Sequence, residues 1–394
     1  MDDAERAHHP HVAGILREHP YRALRTIIDN LPQFIAGNYG RMKNVVRKPL
    51  CCPPRKGSFM PLVRLAAKAM ALVFVLSACG AAARAEEPLK ISIPVMNASF
   101  APFFIAADKG YFREEGLAPQ FLPYSGGVSI PALIGGSLDA SASPFTATIA
   151  IMKGAKLTVV LVTADRTADQ LWSFDPNVRT IKNLRDKIIA VASRGNSEEI
   201  NIRRVLAENG LGQNSVGFSA MGVGSTRLSS VISGAQRFSI LNPLELDTLR
   251  KNGVLQKGTM LFDFAKGFET ANGGIVVRSD DLSNRRDRIK GLVRATWKGM
   301  LYAESFRAAS LALMEKRFPN VAPDTVAVDF DSMLATLNAH GDLSPQAEKE
   351  ELIAHAEALA IPMDKIPDAE QVYDFSLLQQ VQQELSANHW SPKE

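Results

Sequence analysis

The stretch Ala98-Ser-Phe-Ala-Pro-Phe-Phe-Ile-Ala-Ala-Asp-Lys-Gly-Tyr-Phe112 decides the fold of this chain. A predicted strand, Leu89–Val95, precedes it and ends in a loop of small polar residues. The helix within the stretch stops at Gly110, because glycine readily adopts the left-handed conformation that ends a helix. A second predicted strand, Pro119–Tyr124, then runs into Gly126-Gly127 and another helix. This order predicts βαβ units, in which ligands bind at the loops that follow the carboxyl ends of the strands.

Strand and helix patterns alternate from Leu89 to about Ile275, and after residue 280 the pattern is helical throughout. The alternation predicts an α/β protein with two lobes and a cleft between them. The predicted strands are Leu89–Val95, Pro119–Tyr124, Leu138–Ala142, Leu157–Thr163, Lys187–Ala192, Val216–Met221, Arg237–Leu241 and Gly274–Arg278.

The composition is that of an ordinary globular protein. The 394 residues are 46% hydrophobic and 22% charged, and the net charge is only +4. Much of the excess of Lys and Arg lies before residue 86, so it does not indicate a nucleic-acid interface on the folded region. All three cysteines, Cys51, Cys52 and Cys79, also precede that region. The chain after residue 85 therefore has no disulfide, thiolate metal site or cysteine nucleophile.

The segment 60–85 is predicted to be a signal peptide. It combines basic residues with the apolar run Ala69–Ala78, which is too short to span a membrane as a helix. Leu76-Ser-Ala-Cys79 is typical of a bacterial lipobox, which would attach a lipid to Cys79. Ala83-Arg-Ala85 is typical of an ordinary signal cleavage site. Both readings place the protein in the periplasm, either anchored through Cys79 or free.

Residues 1–59 are unusual because they precede the predicted signal peptide. We interpret them as an N-terminal extension that is either disordered or not translated, so that the true start is Met1, Met42 or Met60. The segment contains four histidines, but no carboxylate or cysteine pattern accompanies them, and we predict no metal site there.

Helix N-termini that follow strands carry the residues that we expect to contact a ligand. Free backbone amides and a partial positive charge at these ends favour anionic groups. Aromatic side chains beside the same loops are suited to the organic part of a solute. The candidate ligand-binding residues are Asn97, Ser99, Phe100, Tyr124, Ser125, Gly126, Ser143, Phe145, Thr146, Arg194, Asn196, Ser197 and Asn242.

Several of these residues have a structural alternative. Ser99, Ser125 and Ser197 are equally suited to cap helices. Arg194 suits a carboxylate or sulfonate ligand, but it is also placed to form an ion pair with Glu198 or Glu199.

Three segments of the chain resemble the periplasmic binding proteins of the nitrate/sulfonate/taurine type, also described as thiamine-pyrimidine-synthase-like. They are residues 98–112, Ala132-Leu-Ile-Gly-Gly-Ser-Leu-Asp-Ala140 and Ile181-Lys-Asn-Leu-Arg-Asp-Lys-Ile-Ile-Ala-Val191. The resemblance implies a two-lobed, type II-like α/β fold, in which each lobe is a mixed sheet flanked by helices and the C-terminal region is helical. Residues 86–180 and 277–394 would form lobe 1, and residues 181–276 would form lobe 2. One motif departs from the family: Gly234-Ala-Gln-Arg-Phe238 has Arg237 where the family has Asp.

The resemblance also implies a monomeric solute receptor that closes two lobes over a small molecule and delivers it to the permease and ATPase of an ABC importer. The implied solute is a small organic anion or a nitrogen- or sulfur-containing metabolite, of the sulfonate, nitrate, taurine or pyrimidine type. No cofactor is implied.

Two other functions remain open. The same fold can serve as the ligand-sensing partner of a membrane sensor. It also occurs in pyrimidine synthases, which use a cysteine-rich run and an active-site histidine. After residue 85 this chain has no cysteine, and its histidines all lie in the helical C-terminal part, so we predict that it is not an enzyme.

Overall fold

The computed structural model describes residues 86–212 and 214–394. The predicted N-terminal extension, the signal peptide and the lipidation site at Cys79 lie outside the described residues. Among the described residues, no helix combines the length and apolar character that a membrane span requires.

The first lobe begins with a sheet of parallel strands connected by helices. In β4 (Leu157–Ala164) seven of the eight residues are buried, as expected for a strand covered on both faces. Gly110 follows the helix Ala101–Asp108 and has a φ of 78°, which agrees with its predicted role in ending that helix. The elements are β1 (Glu87–Ser92), α1 (Ala101–Asp108), α2 (Tyr111–Glu114), β2 (Leu117–Leu122), α3 (Gly126–Ile134), β3 (Ala140–Ser141), α4 (Pro144–Ile151) and β4 (Leu157–Ala164). A 3-10 turn, Ala98–Phe100, precedes α1.

The second lobe has its own five-stranded mixed sheet. Its elements are β5 (Gln170–Ser173), β6 (Ile188–Val191), α5 (Ser197–Glu208), β7 (Gly217–Ala220), α6 (Ser225–Ile232), β8 (Phe238–Leu241), α7 (Pro243–Lys251) and β9 (Thr259–Asp263). The strand order in the sheet is β7-β6-β8-β5-β9. The sequence patterns did not predict β5 or β9. A separate core of buried apolar side chains, including Leu171, Ile189 and Ile240, supports this sheet.

The chain then returns to the first lobe. Strand β10 (Gly273–Arg278) completes the sheet of this lobe, whose order is β2-β1-β3-β10-β4, and it is antiparallel to both of its neighbours. The remaining elements are β10 (Gly273–Arg278), α8 (Asp281–Asn284), α9 (Arg286–Ser305), α10 (Arg307–Arg317), α11 (Pro323–Ala335), α12 (Pro345–Leu359) and α13 (Ser376–Ala387). The helical C-terminal region predicted from the sequence is therefore present, and it packs on the first sheet.

Two chain segments, residues 165–169 and 264–272, connect the lobes and run side by side. The Thr270 amide donates to the Asp165 carbonyl at 2.8 Å, and the Phe264 amide donates to the Asp169 carbonyl at 3.1 Å. The boundaries differ from the expected 181–276 at both ends, because β5 pairs with β8 and β9 while β10 pairs with β3 and β4. Strand pairing thus places residues 170–173 in the sheet of lobe 2 and residues 273–276 in the sheet of lobe 1.

Close contact between two helices holds the first lobe together. Gly299 on α9 lies against α1, and a Cβ atom at this position would be 2.1 Å from the Pro102 carbonyl oxygen. Only glycine allows the two helix backbones to approach this closely.

Candidate functional site

A cavity of about 480 Å³ lies between the two lobes. This volume is within the usual range for small-molecule sites. The first lobe contributes the turn after β1, the end of β4, the start of β10 and one face of α11, whereas the second contributes the N-terminal ends of α6 and α7. The lining residues are Val95, Asn97, Ser99, Phe100, Thr163, Ala164, Thr167, Ala168, Asp169, Val223, Gly224, Leu228, Asn242, Pro243, Leu244, Glu245, Thr248, Asn272, Gly273, Asp329, Ser332, Met333 and Thr336.

A buried ion-pair cluster supports the lobe 2 side of the cavity. The Arg227 side chain is fully buried and contacts two carboxylates. Its Nη2 atom donates to Oε2 of Glu245 at 2.6 Å, and its Nη1 atom donates to Oε2 of Glu198 at 3.0 Å. Burial raises the pKa of Glu198, and the Arg227 charge opposes that shift. The arginine therefore stabilises two carboxylates that would otherwise be buried without a cation.

Glu245 also joins the N-termini of two helices. It forms a capping box on α7, in which Asn242 Oδ1 accepts from the Glu245 amide and Glu245 Oε2 accepts from the Asn242 amide, both at 3.0 Å. Its Oε1 atom accepts from the Gly224 amide at 2.8 Å, at the start of α6. Gly224 has a φ of 82°, which favours glycine at this junction. Both Glu245 oxygens are consequently committed within the protein.

Two further carboxylates line the cavity, one from the inter-lobe connection and one from lobe 1. Burial, followed by the nearby charge of Glu198, raises the pKa of Asp169 to about 7. Burial raises the pKa of Asp329 on α11 to about 6, and a hydrogen bond from Asn97 partly opposes that shift. Among the described lining residues there is no Lys, Arg or His. The charged side chains that line this cavity are thus Asp169, Glu245 and Asp329.

Four of the predicted site residues line this cavity. Asn97, Ser99 and Phe100 lie in the turn before α1, and Asn242 caps α7. Asn97 accepts from the Ser99 amide at 3.2 Å, so this Asn, rather than Ser99, caps the turn. The other nine predicted residues lie outside the cavity lining: Tyr124, Ser125, Gly126, Ser143, Phe145, Thr146, Arg194, Asn196 and Ser197.

The predicted loops of lobe 1 pack against each other. A Cβ atom at Gly126 would lie 2.4 Å from Oγ1 of Thr146, so glycine is required there by the contact between α3 and α4. Ser125 and Ser143 hold the N-cap positions of these helices without a side-chain cap bond. Phe145 packs against the buried ring of His355, with the ring centroids 4.4 Å apart.

Arg194 takes the structural alternative that the sequence left open. Its Nε atom donates to Oε2 of Glu199 at 2.7 Å. Burial alone would raise the pKa of Glu199, but hydrogen bonds from Arg194, the Gly195 amide and Arg203 lower it to about 2. Asn196 caps α5 by accepting from the Glu199 amide, and Ser197 is the first residue of that helix.

The acidic lining residues were missed from the sequence, although two local signals point to them. Asp329 interrupts an apolar helical stripe, because Val326, Phe330 and Met333 are its buried neighbours at helical spacing. Asn242 and Glu245 have the spacing of a capping box at the start of a helix. Asp169 has no comparable local signal.

Comparison with known proteins identifies the family of this chain. The NMT1/THI5-like family pattern matches residues 97–305, and the chain belongs to this family. A search of curated protein sequences gives no significant match. The family and the two-lobed α/β fold predicted from the sequence are thus confirmed.

Solved structures share the fold. The periplasmic sulfonate-binding protein SsuA from Methylobacillus flagellatus KT is 14% identical over 78% of this chain and 98% of its own, with a TM-score of 0.61. The alkanesulfonate-binding protein SsuA from Xanthomonas axonopodis pv. citri, bound to MOPS, is 17% identical over 73% and 98% of the two chains (TM-score 0.57). The nitrate-binding protein NrtA from Synechocystis PCC 6803 is 16% identical over 76% and 89% (TM-score 0.56). The chain therefore has the fold of periplasmic ABC-type solute-binding proteins.

Proposed function

We propose that the protein is the periplasmic solute-binding component of an ABC importer. The observation that carries this proposal is the cavity of about 480 Å³ whose lining comes from both lobes. A solute held there contacts the two lobes at once, so its binding energy favours the closed arrangement. An importer's permease can distinguish that arrangement from an open one.

The connection between the lobes supports such a closure. Within the described chain, residues 165–169 and 264–272 are the two segments that run from one sheet to the other, and backbone hydrogen bonds hold them side by side. Each lobe has its own apolar core, so the lobes can move as rigid bodies around this connection.

The lining chemistry favours binding over catalysis. Its hydroxyl and amide groups come from Ser, Thr and Asn, and no described lining residue is a His or Cys that would activate a nucleophile. Hydrogen-bonding groups around an apolar pocket are typical of a receptor for a small organic molecule.

The experiment is a thermal-shift and calorimetric screen of the purified protein against sulfonates, nitrate, carboxylates, pyrimidines and amines. Ser99→Trp is the test variant, because Ser99 is exposed at the cavity and a large side chain there would fill it. Ser391→Trp, at an exposed position in the C-terminal tail, is the matched control.

We expect at least one solute to raise the melting temperature of the wild-type protein and of Ser391→Trp, but not of Ser99→Trp. Binding that persists in Ser99→Trp would place the solute elsewhere. A complete lack of solute binding would contradict the receptor function.

A further inference from the structure

We propose that the solute carries a positively charged nitrogen, as a protonated amine or an amidinium, and that Asp169 and Asp329, which both line the cavity, provide the negative charge that binds it. This inference rests on the proposed function, since it names the class of solute that the inter-lobe cavity accepts.

Asp329 is a buried carboxylate of the cavity lining that has no cationic partner among the described residues. It projects from α11 in lobe 1 and lines the cavity, yet only 7% of its surface is exposed. No Lys, Arg or His of the described residues forms an ion pair with it, and its hydrogen-bond partner is the neutral Asn97 side chain. A buried carboxylate with only one neutral partner costs stability unless a cation joins it.

Asp169 contributes a second carboxylate to the cavity lining. It belongs to the segment that enters lobe 2, and it lines the same cavity. The charged groups that act on it are Glu198, Glu245 and Arg227. Arg227 is already bound to both of those glutamates, so the three side chains together leave the neighbourhood of Asp169 negative.

Glu245 does not compete for this role. Its two oxygens accept from Arg227, Gly224 and Asn242, and the side chain is 2% exposed. The negative charge that is available to a solute therefore belongs to Asp169 and Asp329.

The remaining lining decides what kind of cation fits. The described residues contain no group of three or more His, Cys, Asp or Glu that would hold a metal ion. The cavity is also much larger than an ion requires, and Phe100, Leu228 and Met333 give it an apolar wall. An organic cation with a hydrocarbon or aromatic body satisfies both features.

The same lining disfavours an anionic solute. Helix N-termini favour negative charge, but in this cavity a sulfonate or carboxylate would lie near two carboxylates with no cationic side chain among the described lining residues. The like charges at short range disfavour it.

The test compares matched probes by calorimetry at pH 8, where both carboxylates are ionised. Benzamidine, phenethylamine and 1,5-diaminopentane form the cationic set, and benzoate, benzenesulfonate and nitrate form the anionic set. The variants are Asp169→Asn and Asp329→Asn, with Asp364→Asn as the matched control at an exposed position outside the cavity. Ser99→Trp reports whether binding occurs in the cavity.

We expect a cationic probe to bind, to lose about tenfold or more in affinity in each cavity variant, and to be unaffected in Asp364→Asn. Binding of the cation near pH 6.5 should also release protons from the protein, because the cation stabilises the ionised forms of Asp169 and Asp329. Proton release measured in two buffers of different ionisation enthalpy gives a readout that a merely structural role of the aspartates would not move.

Two outcomes would overturn the inference. If anionic probes bind and are lost in Ser99→Trp while no cationic probe binds, the inference fails and the proposed function stands. If neither set binds, both fail.

Discussion

Arg227 is the residue on which the lobe 2 side of the cavity depends. Its fully buried guanidinium is the shared ion-pair partner of Glu198 and Glu245, and Glu245 in turn fixes the starts of α6 and α7. Loss of this one cation would leave two buried carboxylates unpaired. The geometry of the site and the stability of the lobe are thus linked through a single side chain.

We expect Arg227→Met to lower the free energy of unfolding by about 3–5 kcal/mol, because it leaves the buried carboxylates of Glu198 and Glu245 without a cationic partner. Urea denaturation followed by circular dichroism measures this. Arg237→Met is the control, since Arg237 is largely exposed and pairs with Asp175 at 3.4 Å; its loss should cost about 1 kcal/mol or less. Equal losses in the two variants would contradict the role given to Arg227.

The raised pKa of Asp329 predicts how stability depends on pH. Its pKa is about 6 in the folded protein against an ordinary value of 3.8. Because the folded state holds the proton more tightly, this group's contribution to stability is greatest below pH 4 and falls as the pH rises towards 6. Asp329→Asn should therefore raise the melting temperature at pH 8 relative to the wild type and change it little at pH 4.

The measurement is a series of melting curves from pH 4 to pH 8 without solute, with Asp364→Asn as the control. A wild-type protein whose stability rises through this window relative to Asp329→Asn would show that the Asp329 carboxylate is not destabilising. The same comparison separates stability from solute binding, since the variant should be the more stable protein and the weaker receptor.

Among the secondary-structure elements, the close contact between α1 and α9 leaves no room for a side chain at position 299. Gly299→Ala places a methyl group 2.1 Å from the Pro102 carbonyl, so the helices must separate. We expect a loss of about 3 kcal/mol or more in unfolding free energy. Gly127→Ala on α3 is the matched control, because its Cβ would meet no atom within 4 Å. Guanidinium denaturation of the two variants distinguishes this steric effect from a general effect of replacing glycine.

The sequence predicted those elements whose pattern is local. Eight strands and the C-terminal helices lie close to their predicted positions, because buried parallel strands and helices with apolar stripes carry their own signal. The strands β5 and β9 were missed because they are short, and pairing between residues about ninety positions apart defines them. The earlier start of lobe 2 follows from β5, and its earlier end follows from the pairing of β10 with β3 and β4.

The site was less predictable than the fold for a physical reason. Polar residues at helix starts are visible in the sequence, and Asn97, Ser99, Phe100 and Asn242 do reach the cavity. Acidic residues are normally exposed, so nothing in the segment around Asp169 distinguishes it from a surface residue. Its position beside the buried cluster of Arg227 depends on tertiary structure.

In the described part of the molecule, an ion pair between Arg204 and Glu350 joins the two lobes directly. Arg204 on α5 donates to Oε2 of Glu350 on α12 at 2.6 Å, and its guanidinium lies 3.8 Å from the centre of the Phe268 ring. These contacts hold α5 of lobe 2 against the C-terminal helices of lobe 1. They favour the observed arrangement of the lobes over more open ones.

Arg204→Ala should lower the unfolding free energy by about 1–2 kcal/mol, because it removes partly exposed ion pairs with Glu350 and Glu208 and a cation–π contact. It should also increase the radius of gyration in small-angle X-ray scattering without solute, because the lobes are then less restrained. Arg237→Ala removes an ion pair with Asp175 inside lobe 2 and serves as the control. An unchanged radius of gyration in Arg204→Ala would show that this contact does not restrain the lobes.

The position of β10 has a consequence for the order in which the chain folds as it is made. This strand lies between β3 and β4, yet it comes after the whole of lobe 2 in the chain. Lobe 2 is continuous in sequence, so it can fold as soon as its last strand has left the ribosome or the translocation channel. Lobe 1 starts earlier and finishes later, since its sheet stays open until residues 273–278 arrive and its helices follow them. A chain cut short before this point would carry a finished second lobe on an unfinished first one, and it would have no cavity between them.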